Sequence, residues 1–213
     1  MKKKLLITLS VVACALLLVV GSIAGTIAYL TSTATVTNTF TVGNIVITLD
    51  EGKVGEDGKF IDADKDGVAD SRVSGGTVDE PANKYHLLPG KTYFKDPIVH
   101  VEEGSESCWV FVKVDNGLAG AEADGDTIES QILANNWTKL EDGVYYKKDV
   151  NASAGQVNLP VFQNIKIKTN ISNTDLAAFN DKAVTVTAYA IQSAELNDAA
   201  AAWTAVSTAA NNG

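Results

Sequence analysis

The chain has 213 residues and a formal net charge of −9, from 26 acidic and 17 basic side chains. A surface of this charge repels nucleic acid and anionic lipid, so nucleic acid is excluded as a partner. Hydrophobic residues form 46% of the chain, which is enough for a sizeable core, and the length suits one domain.

The first residues have the organisation of an export signal. Lysines occupy three of the first four positions, and residues 5–20 form an almost unbroken apolar run. This is the charged and apolar pattern of a signal peptide. Thr26 and Ala28 stand at the small-residue positions that a signal peptidase reads. The sequence therefore predicts a helical signal peptide over residues 1–28, cleavage before Tyr29, and secretion.

Two other interpretations of the leader stay open. Residues 5–30 carry no charge and are long enough to span a bilayer, for which about 20 residues suffice. An uncleaved leader would then anchor the protein, and it would be the only contact with the membrane. Cys14 also follows a short apolar box of the kind that precedes a lipid-modified cysteine. Lipidation would leave residues 15–20 as an apolar terminus instead of a polar tether.

Cysteine usage limits how the exported protein is stabilised. After cleavage only Cys108 remains, so no intramolecular disulfide can form. An exported protein of this kind depends on its core, on a metal or on assembly for durability.

The mature N-terminus has the pattern of a β-strand. Residues 34–42 alternate between two faces, with threonine at every second position. Gly43 and Asn44 interrupt the pattern, and the apolar alternation resumes over residues 45–49. The strand contains neither charge nor proline.

Residues 50–84 are rich in Asp, Glu, Gly and Lys, which predicts a solvated acidic loop or insertion. Inside it, carboxylates occupy positions 1, 3, 5 and 9 of a calcium-type loop, with Gly67 at position 6 and a backbone carbonyl at position 7. The predicted calcium ligands are Asp62, Asp64, Asp66, Val68 and Asp70. Val73 stands where an EF-hand has its bidentate Glu, so an EF-hand proper is not expected. The alternative is a flexible loop that only increases solubility.

The following segments predict short strands joined by turns. Residues 87–90 form a turn, and residues 91–101 form a strand pair or a kinked strand broken at Pro97. Residues 108–114 are apolar on both faces except at Lys113, which predicts a strand in the middle of a sheet. Residues 128–134 predict a short helix.

The C-terminal third continues this pattern. Asp142 and Gly143 predict the turn of a hairpin between residues 137–140 and 144–148. Residues 161–168 and 183–192 alternate as strands, and the Ala-rich tail over residues 197–210 predicts a helix laid over the sheet. With no regular alternation of strands and helices, the chain is predicted to be all-β, an antiparallel β-sandwich over residues 29–213 with short peripheral helices.

Catalytic residues are not expected. The only histidines are His86 and His100, and neither belongs to a zinc-protease motif. Cys108 falls within a predicted buried strand, where a thiol is usually inert. No phosphate-binding loop or nucleophile elbow is present, so we predict a protein that is not an enzyme and requires no cofactor, with calcium as an optional ligand.

The unprotected N-terminal strand suggests assembly. Natural proteins protect exposed edge strands with lysine, proline or bulges, and residues 29–41 have no such protection. The segment is either the buried first strand of its own domain or a strand that adds to the sheet of a neighbour. Donation from each copy to the next would be a heterologous contact, which produces a filament. The predicted assembly strand contains Tyr29, Leu30, Ala34, Val36, Asn38 and Phe40.

Several motifs resemble those of a known family. Residues 25–31 read GTIAYLT, residues 38–44 read NTFTVGN and residues 47–51 read ITLDE. This N-terminal pattern resembles the TasA/camelysin family of surface and biofilm-matrix proteins, which Gram-positive bacteria release with a dedicated signal peptidase. Softer resemblances to exported proteins of a clostridial type follow at residues 87–91, 96–97, 111–114 and 188–192.

The resemblance implies a jelly-roll sandwich that is exported and polymerises, with each freed N-terminal strand completing the sheet of the next subunit. Partners would be other copies of the chain and related matrix proteins. The metalloprotease label attached to camelysin is not transferred, because no zinc motif is present.

The leading expectation is a secreted structural subunit of an extracellular fibre or biofilm matrix on a Gram-positive cell. The alternative is a monomeric or membrane-anchored surface module for binding or adhesion. A secreted metal-dependent hydrolase is a distant third.

Overall fold

Antiparallel strands make up most of the chain that the structure describes, with a few helices beside them. The structure is a computed structural model that describes residues 44–55, 57–74, 83 and 85–211, all within one unit formed by residues 43–213. The strands are β1 Ile47–Gly52, β2 Arg72–Val73, β3 Thr92–Phe94, β4 Ile98–Val101, β5 Cys108–Asn116, β6 Thr138–Glu141, β7 Val144–Val150, β8 Val157–Pro160, β9 Asn164–Lys166 and β10 Val184–Gln192. The helices are α1 Ile128–Ala134, α2 Asn173–Leu176 and α3 Ala199–Asn211, and 3-10 turns cover Ala119–Ala121 and Ala177–Phe179.

The predicted signal peptide and N-terminal strand lie outside the described residues. These predictions involve Thr26, Ala28, Tyr29, Leu30, Ala34, Val36, Asn38 and Phe40. None of the helices in the described ranges has the length and apolar character needed to cross a bilayer.

The strands form two sheets of four and one of two. The first sheet has the order β2-β1-β4-β8, the second has the order β10-β5-β7-β6, and β3 pairs with β9. All the pairings are antiparallel, and in the longest one β10 pairs with β5 along nine residues, from Val184 opposite Asn116 to Gln192 opposite Cys108. The prediction of an all-β antiparallel fold is confirmed at this level.

The two large sheets contribute to one hydrophobic core. Val99 and Val101 of β4 and Leu159 of β8 belong to the same buried cluster as Val110 and Val112 of β5. Because successive side chains of a strand point to opposite faces, the alternate residues Trp109 and Phe111 point away from this core.

A second cluster covers that other face of β5. Ala202 of α3 is fully buried there, and the Trp203 ring lies 5.5 Å from that of Phe111 and 5.3 Å from that of Tyr189. The Trp109 indole donates to the carbonyl of Leu196 at 2.8 Å. The core therefore covers one face of β5 and α3 covers the other, which is why both faces are apolar. This confirms the predicted strand with two apolar faces at residues 108–114 and the predicted C-terminal helix over the sheet.

The helix predicted over residues 128–134 and the hairpin around Gly143 are confirmed. The strand predicted over residues 161–168 is wrong in part, since β8 ends at Pro160 and β9 begins at Asn164. Between them the side chain of Gln131 on α1 accepts the N–H groups of Gln163 and Asn164 at 3.0 and 3.2 Å. The side chain of Gln131 thus takes up these two donors, while the N–H of Val161 still donates to the carbonyl of Pro97 at 2.9 Å.

The acidic segment 50–84 is more closely attached to the sheet than predicted. β1 extends to Gly52, Val54 is buried, and Val54 forms a bridge with Phe60. A Cβ at Gly52 would lie 2.6 Å from the Phe60 ring, and one at Gly58 would lie 2.5 Å from the Tyr93 ring. These close approaches show that part of the segment packs on the domain, while residues near Val68 are exposed.

Candidate functional site

The outer strand β10 is the first component of the candidate site. Among the described residues β10 pairs with β5 alone, so one of its edges carries no strand. Its nine residues, VTVTAYAIQ, include no charge and no proline. Backbone donors and acceptors on such an edge can pair with another strand.

Strand β1 presents a second edge that is only partly paired. β4 pairs with one side of β1 from Ile47 to Asp50, whereas β2 pairs with the other side only at Glu51 and Gly52. In the described part of the chain, residues 47–50 therefore also have an edge without a partner strand.

A groove of about 1300 Å³ is lined by residues of both strands. Its described lining includes Leu49 of β1, Val186 and Ala188 of β10, Leu118, and the aromatic rings of Tyr85 and Tyr93. Val186 and Ala188 are half-buried and pack against the core cluster. The groove thus exposes core-facing side chains beside two unpaired edges, which is the arrangement that β-augmentation requires.

One end of the groove is polar and is held by an ion-pair network. Arg72 Nε lies 2.6 Å from Asp50 Oδ1, and its Nη1 lies 2.9 Å from Asp96 Oδ2. Asp96 also accepts the N–H of Gly52 at 2.6 Å. These contacts join Arg72 of β2 to β1 and join both to Asp96 in the loop after β3.

His100 completes this network from β4. Its Nε2 lies 3.1 Å from Asp50 Oδ1, and its Nδ1 lies 2.7 Å from Asn158 Oδ1. Desolvation acts to lower the pKa of His100, but the hydrogen bonds to Asn158 and Asp50 outweigh it and raise the pKa above its usual value. Desolvation acts to raise the pKa of Asp50, yet hydrogen bonds from Arg72 and His100 hold it below its usual value.

A second polar cluster lies beside this network, also on the groove. Glu51 and Asn83 are each 8% exposed, and the side chain of Lys95 is 12% exposed. One Glu51 oxygen lies 2.5 Å from Lys95 Nζ and the other accepts from Asn83 Nδ2 at 2.8 Å. Burial, with the nearby carboxylates of Glu51 and Asp96, raises the pKa of Tyr85 well above its usual range, so its hydroxyl stays neutral.

The predicted calcium loop is curled, and three of its predicted ligands come together. The carboxylates of Asp62, Asp64 and Asp70 have oxygens within 4.8 Å of one another. Asp62 accepts the N–H of Gly67 at 2.9 Å and that of Asp66 at 3.2 Å. Desolvation acts to raise the pKa of Asp62, but these backbone donors hold it below its usual value.

Asp66 is not part of that group, and the prediction that Val68 binds through its backbone carbonyl stays a prediction. Asp66 directs a carboxylate oxygen to the N–H of Val68 at 2.8 Å instead. Val68 itself is 59% exposed.

Cys108 lies in the core and not in the groove. It is fully buried, and burial raises the pKa of its thiol to about 11, so the reactive thiolate is scarce at neutral pH.

Comparisons of the chain with protein families, with curated proteins and with solved structures give no match. Any proposal about the function therefore has to be argued from the groove and its polar end. The uncharged alternation of β10 was visible in the sequence, but its position at a sheet edge was not. The cluster of Glu51, Asn83 and Lys95 was not foreseen, because its members are single polar residues in separate segments.

Proposed function

We propose that this chain is a secreted structural subunit of an extracellular fibre or biofilm matrix on a Gram-positive bacterium. Its processed N-terminal strand adds to the next copy by β-augmentation, as the resemblance to the TasA/camelysin family implies. In this proposal the leader is a helical signal peptide, the domain is a jelly-roll-like sandwich, and the protein is not an enzyme. A dedicated signal peptidase releases the strand.

The observation that carries the proposal is a groove of mixed polar and apolar lining beside two strand edges that, within the described ranges, have no partner strand. The groove exposes Val186 and Ala188, which pack on the core from one side only. An added strand with alternating side chains would cover them and hydrogen-bond to β10.

The N-terminal segment 34–42 has the chemistry of that strand. It spans nine residues, as does β10, and it has neither charge nor proline. Its Ala34, Val36, Asn38 and Phe40 share one face and would enter the groove, while the threonines on the other face remain in water. The donor and the acceptor are parts of the same sequence, so each copy can receive one strand and donate another, and the contact propagates.

The start of β1 is anchored to the turn that precedes β5. The N–H of Val46 donates to Ser105 Oγ at 3.1 Å, and the carbonyl of Asn44 accepts the N–H of Glu106 at 3.0 Å. The turn that holds them leads directly into Cys108, which pairs with Gln192, the last residue of β10. The start of β1 is therefore fixed near the Gln192 end of β10, whereas residues 184–188 of that strand line the groove.

The test compares protein that begins at Tyr29 with protein that begins at Thr41. Size-exclusion chromatography and negative-stain microscopy should show filaments for the longer form and monomers for the shorter form. Addition of a synthetic peptide of residues 29–42 to the shorter form should raise its unfolding temperature without producing filaments. Filaments from both forms would refute donation of the N-terminal strand. A monomeric longer form would favour the alternative of a surface binding module.

We also propose that the loop from Asp62 to Asp70 binds calcium. Three carboxylates that converge within 4.8 Å supply the hard oxygen ligands that calcium prefers. Extracellular sites of this kind fill at about 10⁻⁴ to 10⁻³ M calcium. Isothermal titration with calcium should give binding heat for the natural chain and none for Asp64→Asn, with Asp57→Asn as a control outside the cluster. No heat from the natural chain at millimolar calcium would leave a loop that only carries charge.

A further inference from the structure

Lys95, Glu51 and Asn83 form a buried triad in which an amine and a carboxamide share one carboxylate. Lys95 Nζ lies 2.5 Å from Glu51 Oε2, and Asn83 Nδ2 lies 2.8 Å from Glu51 Oε1. The three residues come from separate segments, since Glu51 is in β1, Lys95 follows β3, and Asn83 precedes the segment 85–88.

The carboxamide of Asn83 is oriented by three hydrogen bonds. Its Oδ1 accepts the N–H of Val54 at 3.0 Å, and its Nδ2 donates both to Glu51 and to the carbonyl of Gly52 at 3.0 Å. The carbonyl oxygen therefore faces a backbone donor, and the amide nitrogen faces the carboxylate. A backbone N–H in this position polarises the carbonyl and stabilises negative charge that develops on its oxygen.

We propose that Lys95 and Asn83 form an intramolecular isopeptide bond, with Glu51 as the proton carrier. The proposal goes beyond the fibre function and does not depend on it. The proposed fibre assembly gives no chemical role to these three polar side chains, and the isopeptide bond would give them one.

The reaction begins with one proton transfer along the contact between Lys95 and Glu51. Transfer from Nζ to Oε2 gives a neutral amine and a neutral carboxylic acid. The lone pair of Nζ then attacks Cγ of Asn83, and the electrons of the carbonyl move to Oδ1 beside the N–H of Val54.

The second half of the reaction expels ammonia. Glu51 gives its proton to Nδ2, the bond between Cγ and Nδ2 breaks, and Nδ2 leaves as ammonia. The resulting carboxylate takes a proton from Nζ, and the carbonyl reforms. The products are a secondary amide between Nζ and Cγ, a carboxyl group on Glu51 and one ammonia molecule. No oxidant, metal or cofactor is consumed.

The bond would strengthen the polar end of the groove. Asn83 leads into the segment that carries Tyr85 and Leu87, and Lys95 directly follows β3, which pairs with β9. A covalent bond would fasten this groove wall to the domain. Cys108 is a free cysteine in the core, so an amide cross-link would supply covalent stabilisation that no disulfide gives within the described residues.

The test is mass spectrometry on the full chain, folded and then digested with trypsin. The natural chain should yield the peptide that contains Asn83 joined to the peptide that contains Lys95, at a combined mass lower by one ammonia molecule. Lys95→Arg keeps the positive charge without the nucleophilic amine, and Glu51→Gln keeps the shape without the proton carrier. Both variants should yield the two peptides unlinked.

Lys91→Arg, four residues before Lys95, is the matched control and should keep the cross-link. Circular dichroism identifies which variants are folded, and Lys95→Arg is the more conservative of the two. A folded natural chain with both peptides separate and at full mass would overturn the proposal. Loss of ammonia from the Asn83 peptide without a joined peptide would also overturn it, because Asn83 would then have cyclised on its own backbone.

Discussion

The two outer strands of the second sheet, β10 and β6, differ in how they meet solvent. β6 has four residues, two of them charged, and Lys139 on it forms ion pairs with Glu129 at 3.2 Å and Asp142 at 2.9 Å. β10 has nine residues with no charge and lies beside the groove. Short, charged edges resist association, whereas long, uncharged edges promote it. Under the proposed assembly, and within the described ranges, this sheet is protected at β6 and can receive a strand at β10.

The largest expected effect comes from placing a charge on the receptive edge. Ala188→Lys directs an ammonium group into the groove, where an incoming strand would have to desolvate it. Filaments of protein beginning at Tyr29 should be abolished, as measured by negative-stain microscopy and sedimentation. Thr138→Lys places the same charge on β6 and should leave filaments unchanged. Equal assembly by both variants would mean that the two edges do not differ in function.

A smaller effect is expected from the helix that covers β10 and β5 on the face opposite the core. Trp203 packs on Phe111 and Tyr189, and its indole donates to Glu141 of β6 at 3.0 Å. Trp203→Ala should lower the free energy of unfolding by about 2 kcal/mol, because the contacts of this half-buried ring with Phe111 and Tyr189 are lost. Urea denaturation measures the change.

Thr204→Ala on the exposed side of the same helix is the control and should change stability by less than about 0.5 kcal/mol. Similar losses in the two variants would show that α3 contributes through its helical structure and not through its contact with the sheet. The loss of stability in Trp203→Ala would then not be evidence that the Trp203 ring stabilises β10.

The smallest effect is a pH dependence at the polar end of the groove. The folded protein raises the pKa of His100, so the stabilisation from its proton is fully present below about pH 6.5, its ordinary pKa, and is lost as pH rises through the raised value. The lowered pKa of Asp50 acts in the opposite direction, and its stabilisation is lost only as the pH falls below its ordinary value of 3.8.

His100→Gln should remove the loss of stability between pH 6 and pH 8, which we expect to be about 0.5 kcal/mol for one ion pair. Urea denaturation at several pH values measures it, and His86→Gln is the control because His86 is not a member of the network. If the natural chain and His100→Gln show the same dependence over this interval, the contact between His100 and Asp50 contributes no stability.

Much of the local structure could be predicted from the residues. The helix at residues 128–134, the hairpin turn at Gly143 and the strand over 183–192 follow from periodicity and turn chemistry, which act over a few neighbouring residues. The strand predicted over 161–168 was wrong in part, because Gln131 supplies hydrogen bonds from a helix 32 residues away. The candidate calcium loop was predicted from spacing, and the structure brings together Asp62, Asp64 and Asp70 but not Asp66.

By itself the sequence determined most of the longer extended segments and which of their faces are apolar, because side-chain alternation is a property of each strand alone. Only the tertiary structure decided that β10 lies at an edge, that Arg72 joins Asp50 to Asp96, and that Glu51 meets both Asn83 and Lys95. These contacts join residues 22 to 44 positions apart. Such pairings depend on which strands become neighbours, and the period of a single strand carries no information about its neighbours.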